Sequence, residues 1–246
     1  MTNSASAPWI VQPRAAWRIC LGAGLVILVL TVMSSQQSLA RACGGLAENY
    51  APMLAFELAR SEADLQLIFG PPGSSCHSQM IARMDSINWL DVLVFIPAYG
   101  TFLVGFFLAM RARNVTLASL GVKLSIAAIV TDYLENLCLM LLTPQLDATS
   151  AWMTLLPWAT GAKWLALGAA AAVAGFVYIG IQPRKFLVVA APAALICWIS
   201  LVVTIAALLN PPAYGPVLSP AIGATWVIFL ITAFTQALRP ATATPP

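Results

Sequence analysis

The chain has 246 residues, of which 60% are hydrophobic and 9% charged, with a formal net charge of +3, and its mean hydropathy is +0.86. That balance excludes a soluble globular protein of this size and marks an integral membrane protein whose constant neighbour is the lipid bilayer. No basic patch interleaved with aromatic residues is present to hold nucleic acid.

The first apolar run, near Trp17 to Met33, follows Arg14 and Arg18. It reads as a retained anchor or as a signal peptide, with Ser38 and Ala40 as the small residues before a cut. The length of the core from Ile19 to Met33 favours retention. A lipoprotein signal fits less well, because Arg41 sits where the residues before Cys43 should be small or apolar.

The segment 34–88 reads as an external helical loop. Phe56, Leu58, Leu65, Ile68 and Phe69 are spaced to line one side of a short helical pair. Ser61 followed by Glu62 and Asp64 is a helix start, with a hydroxyl for exposed backbone amides and acids in the first turn. Gly70-Pro71-Pro72-Gly73 breaks that helix. A further helix from His77 onward, with Met80, Ile81, Met84 and Ile87, runs into the second span. Such a loop is expected to lie as an amphipathic cap on the membrane face.

Further apolar runs of spanning length lie near Trp89 to Met110, Val115 to Leu142, Trp152 to Ile181, Phe186 to Leu209 and Tyr214 to Leu238. The fold class is therefore all-α: a polytopic membrane helical bundle of six transmembrane helices, one membrane domain over residues 1–246. Lys and Arg near span ends set orientation. Arg14, Arg18, Arg111, Arg113, Arg184, Lys185 and Arg239 all fall on one side, so both termini are expected in the cytoplasm.

Of five cysteines, Cys20, Cys138 and Cys197 lie in apolar spans and read as buried small hydrophobes. Cys43 and Cys76 share the external loop, where a disulfide suits an oxidising compartment. His77 is the sole histidine, so no His-rich metal site can be built, and no metal or cofactor is expected.

The third span carries Asp132, Glu135 and Asn136, three and four residues apart and so on one helix face. An ionised carboxylate at bilayer depth costs roughly 2.5 to 3.5 kcal/mol on insertion scales, so these acids need pairing, water or protons. Lys123 reads as an interfacial anchor with a snorkelling stem. Measured from the cytoplasmic edge at 1.5 Å per residue, Tyr99 and Glu135 share a layer about 18 Å deep, and Asp91 meets Lys163 near the external boundary. Measured from the external edge, Tyr99, Asp132 and Lys163 come together about 16 Å deep.

Gly161, Gly168 and Gly175 recur every seven residues as a contact seam for another helix or a second subunit. Pro97, Pro192 and Pro220 are expected to kink their spans, and Trp152, Trp158 and Trp164 to anchor one at the interface.

The run Ala55-Phe56-Glu57-Leu58-Ala59-Arg60, then Leu90-Asp91, Phe95-Ile96-Pro97-Ala98-Tyr99 and Asp132 to Asn136, resembles uncharacterised bacterial multi-pass inner-membrane proteins over roughly the first 140 residues. That resemblance implies a bacterial inner-membrane setting, singles out Asp91, Tyr99, Asp132, Glu135 and Asn136, and brings no activity.

No catalytic set emerges. Three functions stay open: a small transporter or transport accessory working through the polar cluster; a structural or interaction subunit with those groups as interhelical glue; and a membrane enzyme acting on lipid or quinone, for which Asp91, Glu57 and His77 are the only candidates. A cavity reaching Asp132 and Glu135 favours the first, and carboxyls sealed among helices favour the second.

Overall fold

The structure, a computed structural model, describes residues 13–37, 42–180 and 187–238. The elements are α1 (Pro13–Gln37), α2 (Pro52–Glu57), α3 (Glu62–Phe69), α4 (Ser75–Leu90), a π-helical turn (Asp91–Phe95), α5 (Ile96–Met110), α6 (Val115–Leu142), α7 (Ala151–Ile179), α8 (Leu187–Leu209) and α9 (Pro211–Ala237). Among the described residues there are six helical segments long and apolar enough to cross a membrane. The protein is thus an all-α, multi-pass integral membrane protein. Large apolar side chains such as Leu25, Val29, Leu93, Val130, Phe176, Val202 and Ile231 point outward, the surface expected against lipid.

Helix starts follow local chemistry. Ser61, Ser74, Asn114, Ser150 and Asn210 each accept a hydrogen bond from the backbone N–H three residues on, at Asp64, His77, Leu117, Met153 and Ala213. Each satisfies one of the amides that a first turn leaves without a partner. The sixth span begins at Pro211 rather than Tyr214, because Asn210 caps it and Pro211 and Pro212 fit the first helical positions, where no N–H is needed. The fourth ends at Ile179, capped by Gly180. Phe186, Ser38, Ala40, Arg41, Arg184, Lys185 and Arg239 lie outside the described residues.

The second span continues, as expected, from the helix before it. That helix begins at Ser75, two residues before His77, and runs unbroken to Met110 over 36 residues. Pro97 does not end it, because the helix widens into the π-helical turn just before the proline. There Ile96 N–H reaches back to the Asp91 carbonyl. In that five-residue ladder the Val92 carbonyl falls to Pro97, which has no N–H to give. The Tyr133 hydroxyl takes its place, donating to Val92 O at 3.4 Å. Pro192 and Pro220 lie inside helices that likewise continue through them.

The spans form a closed ring. Chain neighbours α5, α6, α7, α8 and α9 pack side by side, while α1 packs on both α5 and α9. Phe106 stacks on Phe229 at 4.0 Å between centroids, with Trp17, Phe102, Phe107 and Tyr178 around them. This aromatic core sits toward the end of the bundle away from α2–α4.

At the other end, α2, α3 and the start of α4 form a cap with its own buried side chains: Phe56, Leu58, Leu65, Ile68, Phe69 and Met80. All four terminal carbonyls of α3 find donors. Gly70 N–H donates to Gln66 O, Gly44 N–H to Leu67 O and Cys43 N–H to Ile68 O, and His77 Nδ1 lies 3.2 Å from Phe69 O. The Cys43–Cys76 disulfide holds this arrangement closed. Gly44 is required by close approach, since a Cβ there would fall 1.8 Å from Gln66 O. Rather than lying flat on the membrane, α2 dips between the ends of α6, α7 and α9.

Candidate functional site

Two facing helices, the second span and one intruding cap residue build the site. On α6, the three-and-four spacing turns Asp132, Glu135 and Asn136 inward, at 4%, 0% and 0% exposure. On α7, about 18 Å into the helix at 1.5 Å per residue, Lys163 faces them and is equally buried. Its ammonium donates to Glu135 Oε1 and to Glu57 Oε2 at 2.9 Å, and lies 3.4 Å from Asp132 Oδ1. It also sits 4.8 Å from the centre of the Trp164 ring, a favourable cation–π position.

Asp132 is the best-served acid. Its Oδ2 accepts from the Tyr99 hydroxyl at 2.7 Å, and its Oδ1 accepts from Asn136 Nδ2 at 3.1 Å while facing Lys163. Asn136 Nδ2 also donates to Asp91 Oδ2 at 2.8 Å, which ties the π-helical turn to α6. The rings of Tyr99 and Phe95 stack on Trp226, at 5.7 and 6.0 Å, and so fix the direction in which the Tyr99 hydroxyl points.

Glu57 completes the site from the cap. Its carboxylate Oε2 accepts from Lys163 and from Trp164 Nε1 at 3.1 Å. Its backbone carbonyl accepts from the Thr160 hydroxyl at 2.9 Å. Three carboxyl groups therefore contact a single ammonium, and a fourth, Asp91, joins them through Asn136. Glu135 Oε2 and Asn136 Oδ1 are buried without a hydrogen-bond partner, as are both polar atoms of Asn88, one turn before Asp91. Among the described residues, no group of three or more His, Cys, Asp and Glu side chains is placed to hold a metal ion.

Every residue of the expected polar cluster is brought into one network: Asp91, Tyr99, Asp132, Glu135, Asn136 and Lys163. The external ruler placed Tyr99, Asp132 and Lys163 together, as the structure has them. The pairing of Asp91 with Lys163 from the cytoplasmic ruler is not made, because Asp91 joins through Asn136 instead. Glu57 is the member that span arithmetic did not find. Trp164, expected as an interfacial anchor, turns inward to Glu57.

Other candidates have ordinary structural places. Cys43 and Cys76 form the disulfide, and Cys20, Cys138 and Cys197 are buried free thiols. His77 lends its ring to the end of α3, while Asp91 and Glu57 bond within the carboxyl cluster. In the glycine seam, Gly168 faces Leu201 and Thr204, and Gly175 faces Ala194 and Trp198, all on α8 of the same chain, while no atom lies within 4 Å of a Cβ built on Gly161. Lys123 is exposed, as an interfacial anchor should be.

Comparison with protein-family models, with curated proteins and with solved structures finds no match to this chain.

Proposed function

We propose that this is a proton-binding multi-pass protein of a bacterial inner membrane, acting as a small transporter or transport accessory through the carboxyl cluster around Lys163. The observation that carries the reading is the charge imbalance: Glu57, Asp91, Asp132 and Glu135 against one ammonium, with the side chains of Lys163, Asp132 and Glu135 at 5%, 5% and 0% exposure. Three carboxylate charges have no counter-charge, and at bilayer depth that is costly. A packed site with no metal-holding group has room for the proton before any larger ion. Glue alone would call for a neutral set, since a buried network left partly unsatisfied is worse than an apolar core.

The cap then faces the outside and both termini the cytoplasm. Support comes from the disulfide, which belongs to an oxidising compartment, and from Arg111 and Arg113, which sit at the opposite end of the bundle. The test is pH-dependent proton flux in liposomes for the parent, Asp132→Asn and Glu135→Gln, alongside folded yield. Flux in the parent that both variants lose while still folding supports the reading; a folded parent without flux refutes transport.

A second reading, a structural or interaction subunit, is favoured by the sealing of Asp132 and Glu135 at 4% and 0% exposure. It predicts that both substitutions lower yield and nothing else.

A further inference from the structure

A cluster sealed this tightly needs a route for its protons. We infer that Glu57, carried by the cap rather than by a membrane span, is the group through which protons pass between the outer aqueous phase and the cluster. This inference rests on the proton-binding reading above.

Three features of the geometry point to Glu57. Among the carboxyls that contact Lys163 its side chain is the most exposed, 12% against 5% for Asp132 and 0% for Glu135. Both of its carboxylate hydrogen bonds fall on Oε2. Its Oε1 has no bond and, unlike Glu135 Oε2, is not among the buried unpartnered atoms, so the packing around it does not seal it. On the inner side, the same Lys163 ammonium that bonds Glu57 also bonds Glu135, whose second oxygen is buried and free to hold a proton.

The transfer balances in two steps. A hydronium ion gives its proton to Glu57, leaving water and a neutral carboxyl. Lys163 then passes one N–H proton to Glu135 and takes the proton from Glu57, so Lys163 stays an ammonium, Glu57 returns to carboxylate and Glu135 becomes neutral. The other groups around Glu57 are Lys163 and Trp164 of α7, Glu135 of α6, with Asp132 on the same ammonium, Asp91 of the π-helical turn and Tyr50 of the cap. The only ionisable group that α9 carries is Tyr214.

The competing door is Asp91, which is also only half-buried. The full chain in lipid nanodiscs is shifted from about pH 8 to about pH 5, and buried-carboxyl protonation is followed by time-resolved infrared absorption. Glu57→Gln is expected to slow the response of the remaining carboxyls by about 10²-fold, the scale of a positioned acid–base group, while Asp91→Asn, which also removes a cluster carboxyl, is expected to slow it far less. Formate, a small weak acid, is expected to restore speed to Glu57→Gln, which a purely structural role for Glu57 does not predict. Trp164→Phe loosens the same carboxylate without removing the acid, and is expected to slow the response far less than Glu57→Gln even if Glu57→Gln folds poorly. An unslowed Glu57→Gln, or an Asp91→Asn or Trp164→Phe as slow as Glu57→Gln, overturns the inference. A parent whose carboxyls do not respond at all refutes the proton-binding reading itself, and this one with it.

Discussion

Lys163→Met removes the only positive charge in the cluster and keeps the length of the stem. In the structure that ammonium serves Glu57 and Glu135 directly and stands 3.4 Å from Asp132, and its place by Trp164 adds a cation–π contact. Taking one partner from a buried ion pair typically costs about 3 to 5 kcal/mol, because the other charge is left buried and unpaired. Here the remaining acids outnumber any counter-charge, so the expected loss lies at the upper end, about 4 to 5 kcal/mol near neutral pH. The assay is equilibrium unfolding of the full chain in nanodiscs, with Glu135→Gln and the double variant completing a cycle. Glu135→Gln is expected to return about 1 to 3 kcal/mol to Lys163→Met, the range of coupling between contacting groups. A loss below about 1 kcal/mol, the scale of an exposed surface pair, or strict additivity in the cycle, refutes the account of Lys163 as the hub.

Tyr99→Phe keeps the stacking on Trp226 but deletes the hydroxyl that Asp132 accepts from at 2.7 Å, and is expected to cost about 1.5 to 3 kcal/mol in the same unfolding assay. Gly121→Ala puts a Cβ 2.2 Å from the Phe107 ring; the strain of moving that ring between α5 and α6 is expected to cost about 1 to 3 kcal/mol, read as a lowered Tm. Reducing Cys43–Cys76, which closes 33 residues of chain, is expected to lower cap stability by about 3 to 4 kcal/mol on the chain-entropy account. Amide exchange should then rise in α2 and α3 and stay unchanged in α6 and α7. Burial first, then the charges of Glu57 and Asp64, push the Tyr50 hydroxyl up to about 12 against an opposing pull from Arg60. Because the folded value is raised, the stability that Tyr50 contributes is full below its ordinary value of about 10 and is lost as pH rises through the folded one. An alkaline absorbance titration of the parent against Tyr50→Phe checks this.

The fold was legible wherever a property repeats along the chain. Apolar runs of spanning length gave the six helices, and the spacing of Asp132, Glu135 and Asn136 gave the inward face of α6. Ser61 with Asp64 gave the start of α3, because a cap is a local hydrogen bond that the sequence writes out in order. What stayed hidden is long-range. Glu57 meets Lys163 across 106 residues, and its surroundings in sequence look like any charged loop; only the descent of α2 between the spans brings the two together. The π-helical turn was hidden for a different reason. A proline announces a lost hydrogen bond, but the remedy here comes from Tyr133, on another helix. Counting depth from the cap end brings Asp132 to Lys163, while Glu57, which lies on no span, has no depth to count.

The central claim is that the carboxyls around Lys163 hold protons that exchange with the medium. The most direct measurement is an infrared titration of the full chain in nanodiscs, following the carboxyl band between about pH 5 and about pH 8, for the parent, Asp132→Asn and Glu135→Gln. The account predicts a buried-carboxyl signal that rises reversibly as pH falls and is diminished in Glu135→Gln with the bundle still folded. A carboxyl band that stays constant across that range in the folded parent contradicts it.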